Sequence, residues 1–386
     1  MRSRPPLLFY CQHSLGLGHL ARSLALCGAL AVDFRVTLLS GGRLPSSSTV
    51  PDGVEVVELP ALALAPDGEL VSEDPRLTVE LARAQRTEAI LAAVRSTRPA
   101  ALVIELFPFG RRKFAAELTA MLEEAQRPGG SRPLVACSVR DILVSRGDAQ
   151  RRHDERACRL ANRWFDLILV HSDPGLARLE DSFDPPVALE VPVHHTGFVL
   201  PPGPIRAVAG SAGAVVVSAG GGRVGNSLLR TAVDAHGLLA GRAMKVIAGP
   251  FLPADEWRSL RAAARGRDGL ELVRSVPSLE AELRTASAAV SQCGYNTALE
   301  ILRSRVPALV VPFAKPGEDE QTRRARRLVS LGAVRMLEER RLDPGLLAAE
   351  IEALDGFRPR APRVALDGAH NSAQLLRGLV GARVAA

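Results

Sequence analysis

Four short stretches of this 386-residue sequence combine residue types suited to phosphate, sugar and proton chemistry. They are "SLGLGH" (14–19), "SAGGGRVGN" (218–226), "SQCGYNTALEIL" (291–302) and "PFAKPGEDEQTRRARRL" (312–328). In the first, Gly16 and Gly18 let the backbone approach a ligand closely, and a following helix would offer free N–H groups at its start. His19, beside a glycine turn at the end of a strand, is placed for proton transfer, and His13 in the same loop is a second candidate base. The plain alternatives are a tight turn and a histidine that caps the helix. The stretch departs from the dinucleotide fingerprint: "GLGHLA" lacks its last glycine, and "LLSGGR" stands where an acidic ribose ligand is needed.

In the second stretch, Gly220, Gly221 and Gly222 lie between a strand and a helix starting near Asn226. That suits a diphosphate held by backbone N–H groups and a helix dipole, with Arg223 adding charge. A flexible turn is the alternative, although three consecutive glycines raise the entropy lost on folding. In the third, Gly294 ends a strand, Asn296 or Thr297 caps a helix, and Glu300 follows one turn in. "TALE" is also a capping box, in which Glu300 satisfies backbone N–H groups. In the fourth, Glu320 and Gln321 open a helix as an acid–amide pair able to grip sugar hydroxyls. Arg323, Arg324, Arg326 and Arg327 read as a solvated helix face.

The elements that must position these loops alternate in type. "LLFYC", "RVTLLS", "VEVVEL", "ALVIEL", "LVACSV" and "DLILVHS" are short apolar runs with strand character. Between them, Leu20, Leu24 and Cys27, and then Phe114, Leu118 and Leu122, recur at helical spacing. The pattern breaks at "VLPPGPIRAVAGSAGA" (199–214) and restarts with "VVVSAGGG", "KVIAG", "LELVRSV", "AAVSQCG", "ALVVPF" and "VRML". Alternation of this kind predicts α/β architecture with parallel sheets, twice over. We expect an amino-terminal domain over 1–198, a linker over 199–212, a second domain over 213–366 and a helix over 367–386 that packs back on the first domain. In such sheets ligands sit outside the carboxyl ends of the strands.

Composition narrows the function. Hydrophobic residues make up 47% and charged ones 24%, as in a globular enzyme. The formal net charge is +7, but aromatic residues are only 4%, too few for the stacking platforms of single-strand binders, so no nucleic-acid partner is expected. The basic residues are arginines except Lys113, Lys245 and Lys315. No apolar run approaches the ~20 residues of a membrane span. Five cysteines form no CxxC pair, which points to buried thiols in a reducing cytoplasm and to no zinc site.

Taken together, the third and fourth stretches resemble the carboxyl-terminal donor domain of GT-B glycosyltransferases. They are most similar to family 28, which contains the bacterial enzyme that forms lipid II. Gly294, Thr297, Glu300, Pro307, Pro312, Phe313, Gln321 and Ala325 match the family pattern in order and spacing. The first half, with "GLGH", "FPFGRRKFAAEL", "VRDILV" and "HHTGFV", looks like a branch of predicted bacterial glycosyltransferases. The resemblance implies a GT-B fold, two Rossmann-like αβα domains facing across a cleft, with the acceptor on the first and a nucleotide-sugar on the second. It implies that Glu300 holds the ribose hydroxyls and that Asn296 and Thr297 lie beside the phosphates. Gly220–Gly222 would lie near the diphosphate, Glu320 and Gln321 at the sugar, and the base against backbone near "LVRSV", including Val276. His19 matches the family histidine, a general base, with Glu105 at the end of "ALVIEL" as its acidic partner and Asp141 as the alternative.

The resemblance further implies inverting transfer of a hexosyl group from a UDP- or dTDP-sugar to a hydroxyl or amine of a small-molecule or lipid-linked acceptor. The nucleotide-sugar is a co-substrate, so no cofactor is expected, and no metal either, since no DxD-like pair stands at a phosphate loop. The expected location is cytoplasmic, or peripheral at the inner membrane face. "GLGH" has one spacer between its glycines, and "PGEDEQ" also differs from the lipid II enzyme, which argues against lipid I as acceptor. Three rivals remain in sequence: a nucleotide-sugar 2-epimerase of the same fold, a nicotinamide-dependent oxidoreductase and a non-catalytic nucleotide-sugar binder.

Overall fold

The computed structural model describes residues 4–13, 17–45, 48–65, 68–200, 213–222, 224–315, 319–360 and 362–385. Gly16, Arg223 and most of the expected linker lie outside the described residues. The chain divides into two units: Met1–Leu143 with Asp148–Pro202 and Val364–Ala386, and Val144–Gly147 with Gly203–Arg363. The expected boundaries therefore shift at two places, 144–147 grouping with the second unit and 364–366 with the first.

The first unit contains β1 (Pro6–Cys11), α1 (Leu17–Leu30), β2 (Arg35–Ser40), β3 (Val54–Glu58), β4 (Leu62–Leu64), β5 (Leu70–Ser72), α2 (Val79–Thr97), β6 (Ala101–Glu105), α3 (Ala115–Ala125), β7 (Leu134–Val139), α4 (Gln150–Trp164), β8 (Leu167–Val170) and β9 (Val193–His195). Seven strands form a parallel sheet in the order β3-β2-β1-β6-β7-β8-β9, with β4 and β5 as a separate antiparallel pair. Because both faces are covered, β1, β6, β7 and β8 read as unbroken apolar runs, whereas the edge strand β3 alternates. One face packs Leu8, Leu102 and Ile104 under α2, α3 and α4; the other packs Phe9, Val36 and Val103 under α1.

The second unit contains β10 (Val215–Ser218), α5 (Asn226–His236), β11 (Met244–Ile247), α6 (Ala254–Ala264), β12 (Leu270–Val273), α7 (Leu279–Thr285), β13 (Ala288–Ser291), α8 (Tyr295–Ser304), β14 (Ala308–Val310), α9 (Glu320–Ser330), β15 (Arg335–Met336) and α10 (Pro344–Glu352). Its six strands run parallel in the order β12-β11-β10-β13-β14-β15. The last helix, α11 (Gly368–Ala385), belongs to the first unit. There Ala373, Leu376 and Val380 join the core beside Leu20, Leu24 and Cys27 of α1.

Both sheets reverse their strand order beside their first strand, at β1/β6 and at β10/β13. Helices then lie on opposite faces on either side of that point, which opens a crevice at the carboxyl ends of the strands. Gly18 and His19, expected in a loop, stand in the first turn of α1 beyond β1, and Glu105 ends β6; the triple-glycine loop follows β10 and Gly294 follows β13. Among the described residues, no helix is long and apolar enough to cross a membrane.

Candidate functional site

At the crevice of the first unit, His19 lies in the first turns of α1, and its Nδ1 stands 2.6 Å from Glu105 Oε1. Glu105 is wholly buried at the end of an otherwise apolar strand. Two guanidinium groups and an imidazole gather on it: His19 and Arg22 Nη2 (2.6 Å) meet Oε1, and Arg111 meets Oε2 through Nη2 (2.5 Å) and Nε (3.1 Å). Burial works against the carboxylate's charge, but Arg111, His19 and Arg22 hold its pKa well below the ordinary value. For His19, burial and then Arg111 outweigh the pull of Glu105 and push the imidazole down to about 3. The ring is therefore neutral at physiological pH. With Nδ1–H donating to Glu105, the lone pair falls on Nε2, which has no partner among the described residues. About a fifth of the side chain (21%) is exposed.

His13 is arranged differently. Ser40 Oγ donates to the Gly42 carbonyl (2.8 Å), so the 2.9 Å contact between His13 Nε2 and Ser40 Oγ uses a proton on His13. Glu105, and not Asp141, is the carboxylate bonded to His19. Asp141 is buried in the segment after β7, and Gly18 is exposed in the first turn of α1.

A buried network holds this loop from behind. Arg86 of α2 is fully buried and donates to both oxygens of Glu117 on α3 (2.6 and 2.9 Å), to Gln12 Oε1 (2.7 Å), to Tyr10 Oη (3.0 Å) and to the carbonyls of Gly41 and Pro60. Gln12 in turn donates to Gly41 O (2.9 Å). The residue just before His13 is thus tied to two helices and to the end of β2.

In the second unit the glycines of the loop after β10 are not interchangeable. Gly220 (φ 62°) and Gly222 (φ 82°) are left-handed; Gly221 is not. A Cβ on Gly222 would stand 2.6 Å from the Ala248 carbonyl oxygen, because this loop lies directly against the loop after β11. Phe251 N bonds Gly221 O there (2.9 Å). The helix after the next switch-point strand begins at Tyr295 with Gly294 as its N-cap, and no side chain caps it. This corrects two expectations: neither Asn296 nor Thr297 is the cap, and Glu300, in the second turn, is not part of a capping box. The start of α8 thus carries no side-chain cap among the described residues.

The start of α9 fixes that helix end in place. Gln321 Oε1 accepts from Cys293 N (3.0 Å) and Phe313 N (3.2 Å), and Arg324 donates to Cys293 O (2.7 Å). Arg324 is 2% exposed, so the arginine run is not wholly a solvated face. Both of these bonds use the Gln321 oxygen. Glu320 is the first residue of α9, and Val276 is half-buried in the segment between β12 and α7.

Among the described residues, Asn226 Oδ1, Ser291 Oγ, Asn296 Oδ1 and Asp319 Oδ1 are buried without a hydrogen-bond partner. All four lie at helix starts or strand ends of this one crevice. Buried polar atoms left unpaired cost roughly 1–3 kcal/mol each, and a ligand's polar groups would relieve them. Glu300 is half-buried, and burial followed by Glu280 raises its pKa to about 7 against the lowering effect of Arg303. Among the described residues, no three His, Cys, Asp or Glu side chains cluster as a metal ion would need.

The glycosyltransferase family 28 C-terminal domain matches residues 225–374. That match falls mostly on the second unit and runs into the start of α11. Among characterised relatives, the UDP-N-acetylglucosamine–N-acetylmuramyl-(pentapeptide) pyrophosphoryl-undecaprenol N-acetylglucosamine transferase of Anaeromyxobacter sp. (strain Fw109-5) is 37% identical over 90 residues. That alignment covers 23% of this chain and 24% of the relative, so the chain spans about a quarter of that protein's length. The corresponding Nitrosococcus oceani enzyme is 35% identical over 101 residues, 26% of this chain and 28% of the relative.

Solved structures extend the likeness to the whole fold. The calicheamicin glycosyltransferase CalG4 superposes with a TM-score of 0.60 at 18% identity, covering 99% of this chain and 95% of its own. Glycosyltransferase VinC in complex with dTDP gives 0.60 at 17% identity, covering 98% of both chains. Acinetobacter baumannii MurG gives 0.55 at 12% identity, covering 99% of this chain and 100% of its own. The chain has the GT-B fold.

Within this family 28-like GT-B chain, the residues missed in sequence are Arg22, Arg111 and Arg324. Arg22 lies one helical turn beyond His19 inside an apolar helix face, which is a readable signal. Arg111 was hidden in "GRRK", which reads as surface charge.

Proposed function

We propose that this chain is a glycosyltransferase that moves a hexosyl group from a UDP- or dTDP-sugar to a hydroxyl or amine of a small-molecule or lipid-linked acceptor, with inversion and without a metal ion. The observation that carries the reading is the His19–Glu105 pair, 2.6 Å apart at one switch point, in a chain whose other switch point presents two glycine-flanked helix N-termini. His19 Nε2 takes the acceptor proton as the acceptor atom attacks the anomeric carbon, and Glu105 stabilises the imidazolium that forms. The sugar–phosphate bond breaks, and the leaving diphosphate gathers charge against the N–H groups of α8 and of the Gly220–Gly222 loop.

Glu300 takes the ribose hydroxyls, Gln321 and Glu320 the sugar, and backbone near Val276 the base. Similarity to the calicheamicin glycosyltransferase CalG4 and to VinC with dTDP supports a natural-product acceptor and a dTDP-linked donor, and similarity to the UDP-N-acetylglucosamine transferases supports a UDP-linked one. No cofactor enters this reading, and its setting is the cytoplasm or the inner membrane face.

A thermal-shift screen with UDP-, dTDP- and GDP-sugars tests the donor half; stabilisation by none of them would sink the reading. For the chemistry, His19→Ala should lower transfer by about 10²–10⁴-fold while leaving nucleotide-induced stabilisation intact. Products formed with and without acceptor separate transfer from epimerisation.

A further inference from the structure

The residues just after Glu105 form a tight loop that turns the chain back on itself. Leu106 (φ 64°) and Arg111 (φ 60°) both adopt the left-handed conformation, which costs bulky side chains on the order of 1 kcal/mol each. The loop is pinned by Leu106 N to Ser138 O and Gly110 N to Leu106 O, both 2.8 Å. A Cβ on Gly110 would stand 2.7 Å from the Leu106 side chain, which would have to shift to admit it. The result is that Arg111, six residues after Glu105, places two N–H groups on Oε2 while Arg22 and His19 share Oε1. We propose that Arg111, assisted by Arg22, is a positioning residue that locks Glu105 against His19 Nδ1 and compensates its charge, so that His19 is kept as a neutral base with Nε2 free.

An aspartate or glutamate bonded to a histidine ordinarily raises the imidazole's basicity. Here the carboxylate's charge is already answered by two guanidinium groups. The charged groups facing His19 are Glu105 from β6, Arg22 from α1, Arg111 from the loop after β6 and Arg140 from the segment after β7. Cys11 of β1, with Sγ 3.8 Å from the His19 carbonyl, stays neutral because burial pushes its thiol up to about 12. Arg111 and Arg140 both disfavour imidazolium, in line with the low pKa of His19. Burial is the larger cause of that low value; Arg111 adds to it and fixes the orientation of Glu105, without itself taking part in bond making.

This inference rests on the transferase reading for its purpose but not for its test. Side-chain ¹⁵N spectra of the full chain, with His19→Ala for assignment, should show His19 protonated on Nδ1 and untitrated above about pH 5. In Arg111→Ala its midpoint should rise by about one pH unit or more. The acid limb of the transfer rate should move the same way, with nucleotide-induced stabilisation unchanged. Arg111→Gly, which accepts the left-handed backbone, provides the same comparison if the alanine variant misfolds. Arg111→Lys keeps the charge without the paired donors and should fall between. A His19 midpoint unmoved in both the alanine and glycine variants overturns the inference, as does a wild-type His19 titrating near 6.5. If His19 behaves as stated but no sugar is transferred, the transferase reading fails alone.

Discussion

Replacing Glu300 by Gln separates its two possible duties, because it should make the protein more stable and its donor binding weaker. Its carboxyl is raised from an ordinary 4.5 to about 7 by burial and by Glu280, itself tied to Arg284 (3.0 Å) and Arg303 (3.1 Å). The folded state thus binds this proton more tightly than the unfolded state does. Its stability is unaffected by Glu300 below the unfolded pKa and falls as pH rises from about 4.5 to 7. At about 1.4 kcal/mol per pH unit the full penalty is roughly 3 kcal/mol, and partial solvent access reduces it to about 1–2 kcal/mol.

Glutamine keeps the shape and removes the charge. At pH 5, Glu300→Gln should unfold within about a degree of wild type; at pH 8 it should unfold a few degrees higher. At the same pH 8, stabilisation by UDP should drop by about tenfold in apparent affinity, as expected for loss of a charged acceptor to two hydroxyls, and stabilisation by dTDP, which has only the 3′-hydroxyl, should drop less. Thermal unfolding at both pH values, with and without nucleotide, reads both effects. A stability gap that does not widen between pH 5 and pH 8, or lower stability at both, would refute the burial argument. Unchanged nucleotide affinity would refute the ribose assignment.

Two further outcomes follow from particular contacts. Alanine substitutions across the glycine loop should rank by backbone and space: Gly221→Ala mildest, with its nearest neighbour the Phe251 ring at 3.5 Å, then Gly220→Ala with only its positive φ, and Gly222→Ala worst. Melting temperature and nucleotide binding should follow that order, and equal effects at all three would contradict the loop geometry. Arg86→Met should destabilise the chain by about 3–5 kcal/mol in urea unfolding, since it strands the Glu117 carboxylate in the core. Adding Glu117→Gln should recover part of this loss; no recovery would show that the stranded charge is not the cause.

Much of the site was readable because strands and phosphate loops leave local marks. The runs "LLFYC", "ALVIEL", "VVVSAGGG" and "AAVSQCG" located the starts of four strands to within a residue, although β13 ends at Ser291 and not at Gly294, and the loops beyond the strands are where ligands bind in parallel sheets. Local pattern misled where a side chain's partner is distant in sequence. "TALE" has the composition of a capping box, yet α8 starts two residues earlier because Gln321 and Arg324 clamp Cys293 from another helix. The short strand β9 and the β4–β5 pair went unread, being three residues each and without a distinctive period.

The sequence by itself determined the α/β alternation, the glycine-rich turns that follow strands and a histidine close after the first strand. Those features depend on neighbours a few residues away, through periodicity, turn chemistry and helix starts. Only the tertiary structure decided that Glu105 and not Asp141 meets His19, that Arg22 and Arg111 converge on the same carboxylate, and that Arg86 braces the loop from two helices away. Buried charges are satisfied by whatever the fold brings within 3 Å, and sequence spacing carries little information about distances set by sheet order.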